Sequence, residues 1–367
     1  MKKRIVVKVG SSSLASPQGG CDPAKLSAIV SNISRLHANG HETVLVSSGA
    51  VASGYAQLGY KQRPRTLAAK QAAAAIGQGM LMQQYAALFG QNNCTVAQIL
   101  LTRGDFSDQE RYRHAFQTIS LLLSRRILPI INENDTVSVA ELTFGDNDML
   151  GALVAGLVHA DLYVILTDTD GLYDKDPRKH PDARRIPFLR TVTAEAEALA
   201  GSAGALGTGG MASKLKAAKT AHSLGIPCFI GRANGDDGLL SILAGEGVGT
   251  YVGMTREQTK KWNVSTRKQW IALHSAVHGR LHVDKGAADA LLNKNKSLLA
   301  AGIQSVDGSF AAGEVVEVLC DGTLIGRGIS RYGADELREA LPPAEGNRLE
   351  GEVINRDYWV TLLAVSS

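Results

Sequence analysis

The side chains in this sequence best suited to chemistry fall into a few short clusters, each set where an apolar run ends or a helical one begins. The first, Lys8-Val9-Gly10-Ser11-Ser12-Ser13, runs from an apolar stretch into a glycine-serine turn. Gly10 allows close approach of the backbone to a ligand, and successive N–H groups in such a turn form an anion-binding nest that Lys8 can reach. Val46-Ser47-Ser48-Gly49-Ala50 repeats the arrangement. The alternative for both is an ordinary strand-to-helix turn whose serines cap a helix.

Between residues 131 and 148 lie five carboxylates and three amides, in Ile131-Asn132-Glu133-Asn134-Asp135 and Phe144-Gly145-Asp146-Asn147-Asp148 with Glu141 between them. Packed this tightly, the carboxylates repel one another unless a cation or an ammonium group shares the site. A solvated acidic loop is the other reading, but it leaves unexplained why the cluster abuts a strand end and a helix start. Thr167-Asp168-Thr169-Asp170-Gly171-Leu172-Tyr173 follows another apolar run. It lacks the register and flanking helices of a calcium loop and suits a nucleotide pocket at a sheet rim. Gly207-Thr208-Gly209-Gly210-Met211-Ala212-Ser213-Lys214 opens a helix, whose free N–H groups and lysine make a phosphate site. Neither G-x-x-x-x-G-K-[ST] nor G-x-G-x-x-G occurs, so P-loop and dinucleotide-binding readings lose their main support.

These clusters need elements to hold them. Apolar, β-rich runs at 5–9, 43–47, 96–100, 128–131, 162–166 and 228–230 predict strands, and the spacing between them predicts helices over 22–38, 67–89, 112–125, 149–158 and 211–224. That alternation specifies an α/β domain with a mainly parallel open sheet sandwiched by helices, whose strand C-termini converge on one rim. Gly40 and Gly225 stand where helix C-caps belong. From about residue 276 onward, short strand-like runs punctuated by Gly and Asp suggest a small β-rich barrel. The predicted organisation is therefore a first domain over 1–253, a polar linker over 254–275 and a second domain over 276–367.

The chain has 367 residues, more than one core usually organises. Its formal charge of +4 is confined to the first part: residues 1–254 carry 25 basic and 21 acidic side chains, and 255–367 carry 14 of each, which argues against a non-specific grip on nucleic acid there. Cys21, Cys94, Cys228 and Cys320 form no C-x-x-C pair and fit a reducing, cytoplasmic compartment. Lys8 interrupts the first apolar run, so a secretion signal is not expected, and no run is long enough to span a membrane. His274, His278 and His282 recur at helical spacing, but Gly279 and strand-like neighbours favour surface histidines over a metal site. Arg63, Arg65 and Lys70 read as a solvated basic face.

Taken in order, these motifs resemble those of the glutamate 5-kinase family of the amino acid kinase superfamily, the Ile-Asn-Glu-Asn-Asp and Gly-Asp-Asn-Asp pair being the characteristic part. Val283-Asp284-Lys285-Gly286-Ala287 and Gly328-Ile329-Ser330-Arg331-Tyr332 are similar to a PUA domain. Gln109, His114, Ser213 and Asn355 depart from the family's usual residues. The resemblance implies phosphorylation of the glutamate side-chain carboxylate by ATP with Mg²⁺ bridging the phosphates, and it assigns no protein ligand to the metal. It implies Lys8, Asp148 and Lys214 as catalytic residues and Ser48, Gly49, Asn132, Asp135 and Asn147 as the glutamate site. ATP would be held by Lys8, Gly10, Thr167, Asp168, Thr208, Gly209, Gly210, Met211, Ala212, Ser213 and Lys214. A homo-oligomer, dimer or tetramer, and feedback inhibition by proline are further implications. Another carboxylate or phosphate kinase of the superfamily is the nearest alternative, and an RNA-binding protein acting through the PUA-like domain is a more distant one.

Overall fold

The computed structural model describes residues 2–14, 16, 20–138, 147–177, 179–202, 210–253, 266–273, 275, 277–294, 296–341, 349 and 351–361. The predicted motif residues Gly145, Asp146, Gly207, Thr208 and Gly209 lie outside them. One compact unit comprises Met1–Asp105 with His114–Trp262; a second comprises Phe106–Arg113 with Asn263–Ser367.

In the first unit the strands are β1 (Arg4–Val9), β2 (Glu42–Ser47), β3 (Val96–Leu101), β4 (Leu128–Glu133), β5 (Leu162–Leu166), β6 (Phe188–Leu189), β7 (Cys228–Gly231) and β8 (Gly249–Val252). They form one eight-stranded sheet in the order β3-β4-β2-β1-β5-β7-β8-β6. From β3 to β7 every pairing is parallel, and β8 then pairs antiparallel to β7. The parallel run places the C-terminal ends of β1, β2, β4, β5 and β7 along one rim, where the predicted clusters at 8–13, 46–50, 131–135 and 167–173 lie.

Helices α1 (Ser11–Leu14), α2 (Pro23–Ala38), α3 (Ala50–Gly54), α4 (Leu67–Gly90), α5 (Arg103–Ser107), α6 (Gln109–Ser124), α7 (Asn147–Leu157), α8 (Ala194–Ser202), α9 (Met211–Ser223) and α10 (Gly238–Ala244) accompany the sheet. Local chemistry sets their ends. Asp22 caps α2 by accepting from the N–H groups of Ala24 and Lys25, with Pro23 at the first helical position. Gly40 and Gly225 follow α2 and α9 with φ of 83° and 74°, a conformation glycine adopts without a Cβ penalty. Alternation along β1 sends Ile5, Val7 and Val9 into a core with Leu26, Val30 and Ile33 of α2 and Leu81, Tyr85 and Phe89 of α4. Lys8 therefore points to the other face of the sheet, where α7 packs on β1.

The second unit holds α11 (Thr266–Leu273), β9 (Gly279–Val283), α12 (Lys285–Leu292), β10 (Leu298–Leu299), β11 (Ile303–Gly308), β12 (Val315–Cys320), β13 (Thr323–Ile329), α13 (Ala334–Glu339), β14 (Glu352–Ile354) and β15 (Trp359–Thr361). Five strands form a mixed sheet in the order β11-β9-β12-β13-β15, and β10 pairs with β14. Leu281, Val316, Val318, Ile325, Val353 and Trp359 are among its core. Within the stretch expected as a linker, α11 occupies the end, where Trp270 and Ile271 are buried; its apolar residues, Trp270-Ile271-Ala272-Leu273, make a single run that shows no period. His282 lies on a strand and pairs with Asp307 at 2.9 Å, and His278 lies 3.5 Å from Glu314, which removes the helical spacing a three-histidine site would need.

Short elements escaped sequence reading: β6, β8, α3, α8 and α10 are too brief to show a period. One of them sets a tight constraint. A Cβ on Gly77 of α4 would stand 1.8 Å from the Ala50 carbonyl oxygen of α3, and one on Gly54 would stand 2.0 Å from that of Ala73. The two helices touch backbone to backbone. Gly77→Ala is expected to lower stability by about 1–3 kcal/mol or more through overpacking. Gly79→Ala, on the same helix with open space around it, should raise stability by up to about 1 kcal/mol. Urea unfolding of both variants checks this, and a shift of the same sign in the two would contradict it.

Candidate active site

The centre of the site is a buried carboxylate between two buried ammonium groups. Asp148, in the first turn of α7, is fully buried; its Oδ1 lies 2.5 Å from Lys8 Nζ and its Oδ2 lies 3.0 Å from Lys214 Nζ. Lys8 and Lys214 are only 3% and 8% exposed. Ser213 Oγ donates to Asp148 Oδ2 at 3.4 Å. The helix orientations explain the arrangement in part: a carboxylate in the first turn of α7 is favoured by the helix dipole, whereas Lys214 in the first turn of α9 is opposed by it. Asp148 offsets that opposition. Taken together the three side chains carry one net positive charge in a low-dielectric setting, which favours an anion.

The backbone around the triad leaves room for such an anion. Gly10 follows Lys8 closely enough that a Cβ there would lie 3.3 Å from the Lys8 ammonium. Gly210 caps α9 with extended backbone, and the first helical bonds run from Ser213 and Lys214 back to the Gly210 carbonyl. The N–H groups of Met211 and Ala212 precede those bonds, so the helix start offers donors without an intrahelical partner beside Lys214.

The acidic-amide cluster after β4 separates into two roles. Asn132 is buried and its amide is engaged within the protein: Nδ2 donates to Gln78 Oε1 at 2.8 Å, while Oδ1 accepts from Asn147 Nδ2 at 2.8 Å and from the Glu133 N–H at 2.9 Å. Asn147 also donates to the Ser47 carbonyl at 2.8 Å, tying α7 to the end of β2. Glu133 accepts from Ser138 Oγ at 3.0 Å. Asp135 sits in the following turn, where burial pushes its carboxyl pKa up and Arg63 opposes the rise. Arg63, read from sequence as part of a solvated face, thus contributes to the field on Asp135. Ser48 and Gly49 close β2; the Ser48 N–H donates to the Val9 carbonyl, and Gly49 has a φ of 109° that a side chain would strain.

On the other side of β1, Thr167 and Asp168 follow β5. The Thr167 N–H donates to the Gly231 carbonyl at 3.0 Å and its hydroxyl donates to Asp168 Oδ1 at 3.2 Å. Arg232, immediately after β7, donates to the Asp168 carbonyl and pairs with Asp170 at 3.3 Å. Arg232, Gln78, Tyr85 and Tyr163 were not singled out from sequence. Tyr85 bonds Ser47 at 2.9 Å, and Tyr163 donates to the Asp148 carbonyl at 2.7 Å. For Arg232 the available signal was its place after a strand that joins the parallel run. For Gln78 it was a single amide within an otherwise small or apolar helical stripe.

An open parallel sheet with this cluster at its strand ends is the architecture of a phosphotransferase acting on small anionic substrates, and residues 3–232 match the amino acid kinase family. Residues 279–342 match the PUA domain. The chain is 53% identical to the glutamate 5-kinase of Bacillus cereus strain G9842, over 98% of this chain and all of that relative. It is 52% identical to the glutamate 5-kinase of Bacillus anthracis, over 98% and 99% of the two chains. Carbamate kinase from Giardia lamblia bound to AMP-PNP shares the fold, with a TM-score of 0.50 and 19% identity over 68% of this chain and 98% of that one. The chain belongs to the amino acid kinase family, within its glutamate 5-kinase branch.

The triad makes a stability prediction of its own. Asp148→Ala leaves two buried ammonium groups without their shared carboxylate, and is expected to cost about 3–5 kcal/mol in urea unfolding of the ligand-free protein. A loss under about 1 kcal/mol would mean that solvent reaches the lysines readily enough to replace the carboxylate.

Proposed function

We propose that the chain transfers the γ-phosphoryl group of ATP to the side-chain carboxylate of L-glutamate, giving L-glutamyl 5-phosphate, the first step toward proline. The observation that carries this reading is the buried Lys8-Asp148-Lys214 triad with its net positive charge at the rim of the sheet. The nucleophile requires no general base, because a glutamate side chain with a pKa of about 4.3 is already ionised at neutral pH. Catalysis then rests on positioning and on neutralising charge as it spreads over the transferred phosphoryl oxygens. Lys8 and Lys214 supply that neutralisation, and Asp148 fixes where their ammonium groups stand. Mg²⁺ enters as part of the MgATP substrate, coordinated by phosphate oxygens, since the Asp148 carboxylate is taken up by the lysines.

Glutamate is assigned to Ser48, Gly49, Asp135 and Asn147, with Asp135 facing the α-ammonium and Asn132 acting through Asn147. A partly desolvated carboxylate such as Asp135 regains favourable interaction when an ammonium group binds it. ATP is assigned to Gly10, Thr167, Asp168 and the segment from Thr208 to Lys214, with the first N–H groups of α9 on its phosphates. Four free thiols and the use of ATP and glutamate suit the cytoplasm. Among the described residues no helix is long and apolar enough to cross a membrane. A homo-oligomer is proposed as well, supported by Leu67 and Ile76, which are exposed on α4. Proline is proposed as feedback inhibitor, and added proline in the assay below tests that.

Glutamate with MgATP and hydroxylamine should yield glutamyl hydroxamate; equal or greater turnover with aspartate, acetylglutamate or UMP would sink the assignment. Lys8→Ala and Lys214→Ala should each lower kcat by about 10²–10³, the usual effect of removing a donor that acts on developing charge. Asp135→Ala should instead mainly raise KM for glutamate, because an ammonium contact is present in ground and transition states alike. A near-normal kcat in both lysine variants would place the charge-stabilising role elsewhere.

A further inference from the structure

One buried amide has no part in the roles assigned above. Gln78 is 8% exposed on α4, in a stripe with Ala74, Gly77, Leu81 and Tyr85 that is otherwise small or apolar. A glutamine there costs free energy unless its amide is bonded. Its bond is the one to Asn132 Nδ2, at the start of a chain that runs Gln78–Asn132–Asn147–Ser47.

Two main-chain groups show which way round each amide in this chain stands. The Glu133 N–H can only donate, and it meets Asn132 Oδ1 at 2.9 Å, so the Asn132 oxygen faces that way and its NH₂ turns toward Gln78. Gln78 must therefore present its oxygen. At the other end the Ser47 carbonyl can only accept, which requires the Asn147 NH₂ to face it. The second N–H of the same group goes to Asn132 Oδ1. Asn147 thus spends both its donors inside the protein. Its carbonyl oxygen, bonded to no donor among the described residues, is the atom left for a ligand.

We propose that Gln78 is a positioning residue for substrate selection: through Asn132 it holds Asn147 with its carbonyl toward the ligand, so that Asn147 accepts from an ammonium group. This rests on the assignment of Asn147 to the glutamate site. Glutamate bears two carboxylates and one ammonium, and only the ammonium can donate to Asn147 Oδ1. Without the Gln78 oxygen the buried Asn132 NH₂ has lost its acceptor, a cost that favours turning Asn132 away from the Glu133 N–H. Asn147, bonded to Asn132 Oδ1, then loses that anchor, and an NH₂ directed at the ligand would lose the contact to the ammonium.

The test uses the full chain with Gln78→Met, which keeps the length and removes the oxygen, and Gln78→Glu, which restores an acceptor. Three quantities are measured: KM for glutamate, KM for MgATP, and the competitive Ki of glutarate, which has both carboxylates and no ammonium. Gln78→Met should raise KM for glutamate roughly tenfold while leaving KM for MgATP and Ki for glutarate within about twofold, so that the preference for the ammonium-bearing ligand shrinks about tenfold. Gln78→Glu should recover most of that preference. Parallel rises in all three quantities, equal rises for glutamate and glutarate, or an unchanged KM for glutamate would each overturn the proposal and leave Gln78 a packing role. Should Gln78→Met fail to fold, Gln78→Glu decides: a retained preference supports the proposal and a lost one overturns it. A wild-type protein that makes no glutamyl hydroxamate sinks the underlying assignment and this inference with it, whereas an active wild type beside an unaltered Gln78→Met sinks the inference alone.

Discussion

Burying a charge is the most expensive thing this fold does, and it does it three times within a few ångströms. Asp148 is held at 2.5 and 3.0 Å from two lysines that come from the sheet and from α9, so three elements must meet at one point with side-chain precision. Desolvating these groups costs several kcal/mol per ion, a cost that their mutual attraction offsets only with good geometry. The formal charges of these three side chains sum to one positive, which favours an anion nearby. The site is thereby electrostatically prepared for an anion before one arrives.

Much of the surrounding structure can be understood as what keeps that meeting point in place. Parallel pairing from β3 to β7 aligns the strand ends, and the alternation in β1 sends Ile5, Val7 and Val9 to one core while Lys8 lies on the face toward α7. Tyr163 bonds the Asp148 carbonyl, and its hydroxyl lies where a Cβ on Gly151 would come within 2.3 Å of it, so that glycine is required by the tyrosine. The amide chain from Gln78 to Asn147 fastens the start of α7 to β2 and β4 without introducing another charge. Neutral amides serve well here because each offers both donors and acceptors.

The glycines and serines of the rim could be read from sequence because their chemistry is local. A strand that ends in Gly-Ser before a helix, or a glycine-rich run ahead of Met211, suggests an anion site with no knowledge of what lies opposite. The length and order of the main strands were legible for a similar reason, since β-branched runs and 3.6-residue spacing are properties of single segments. The short elements β6, β8, α3 and α8 were not, because they carry too few residues to show a period. The helix α11 was read as connection because its one apolar run, Trp270-Ile271-Ala272-Leu273, is too short to show a period.

By itself, then, the sequence determined the alternation of strands and helices, the clusters at the strand ends and the kinds of group available there. It could name Lys8, Asp148 and Lys214, but their separations in sequence, 140 and 66 residues, say nothing about distance. Only the tertiary structure decided that one carboxylate serves both lysines, that Asn132 faces inward while Asn147 spends both its donors within the protein, and that Gln78, Arg232 and Tyr163 belong to the same construction. The physical reason is that ion pairs and hydrogen bonds depend on separations of about 3 Å and on bond direction. Those are settled by how β1, β2, β4, α4, α7 and α9 pack together, and no local pattern of residues encodes them.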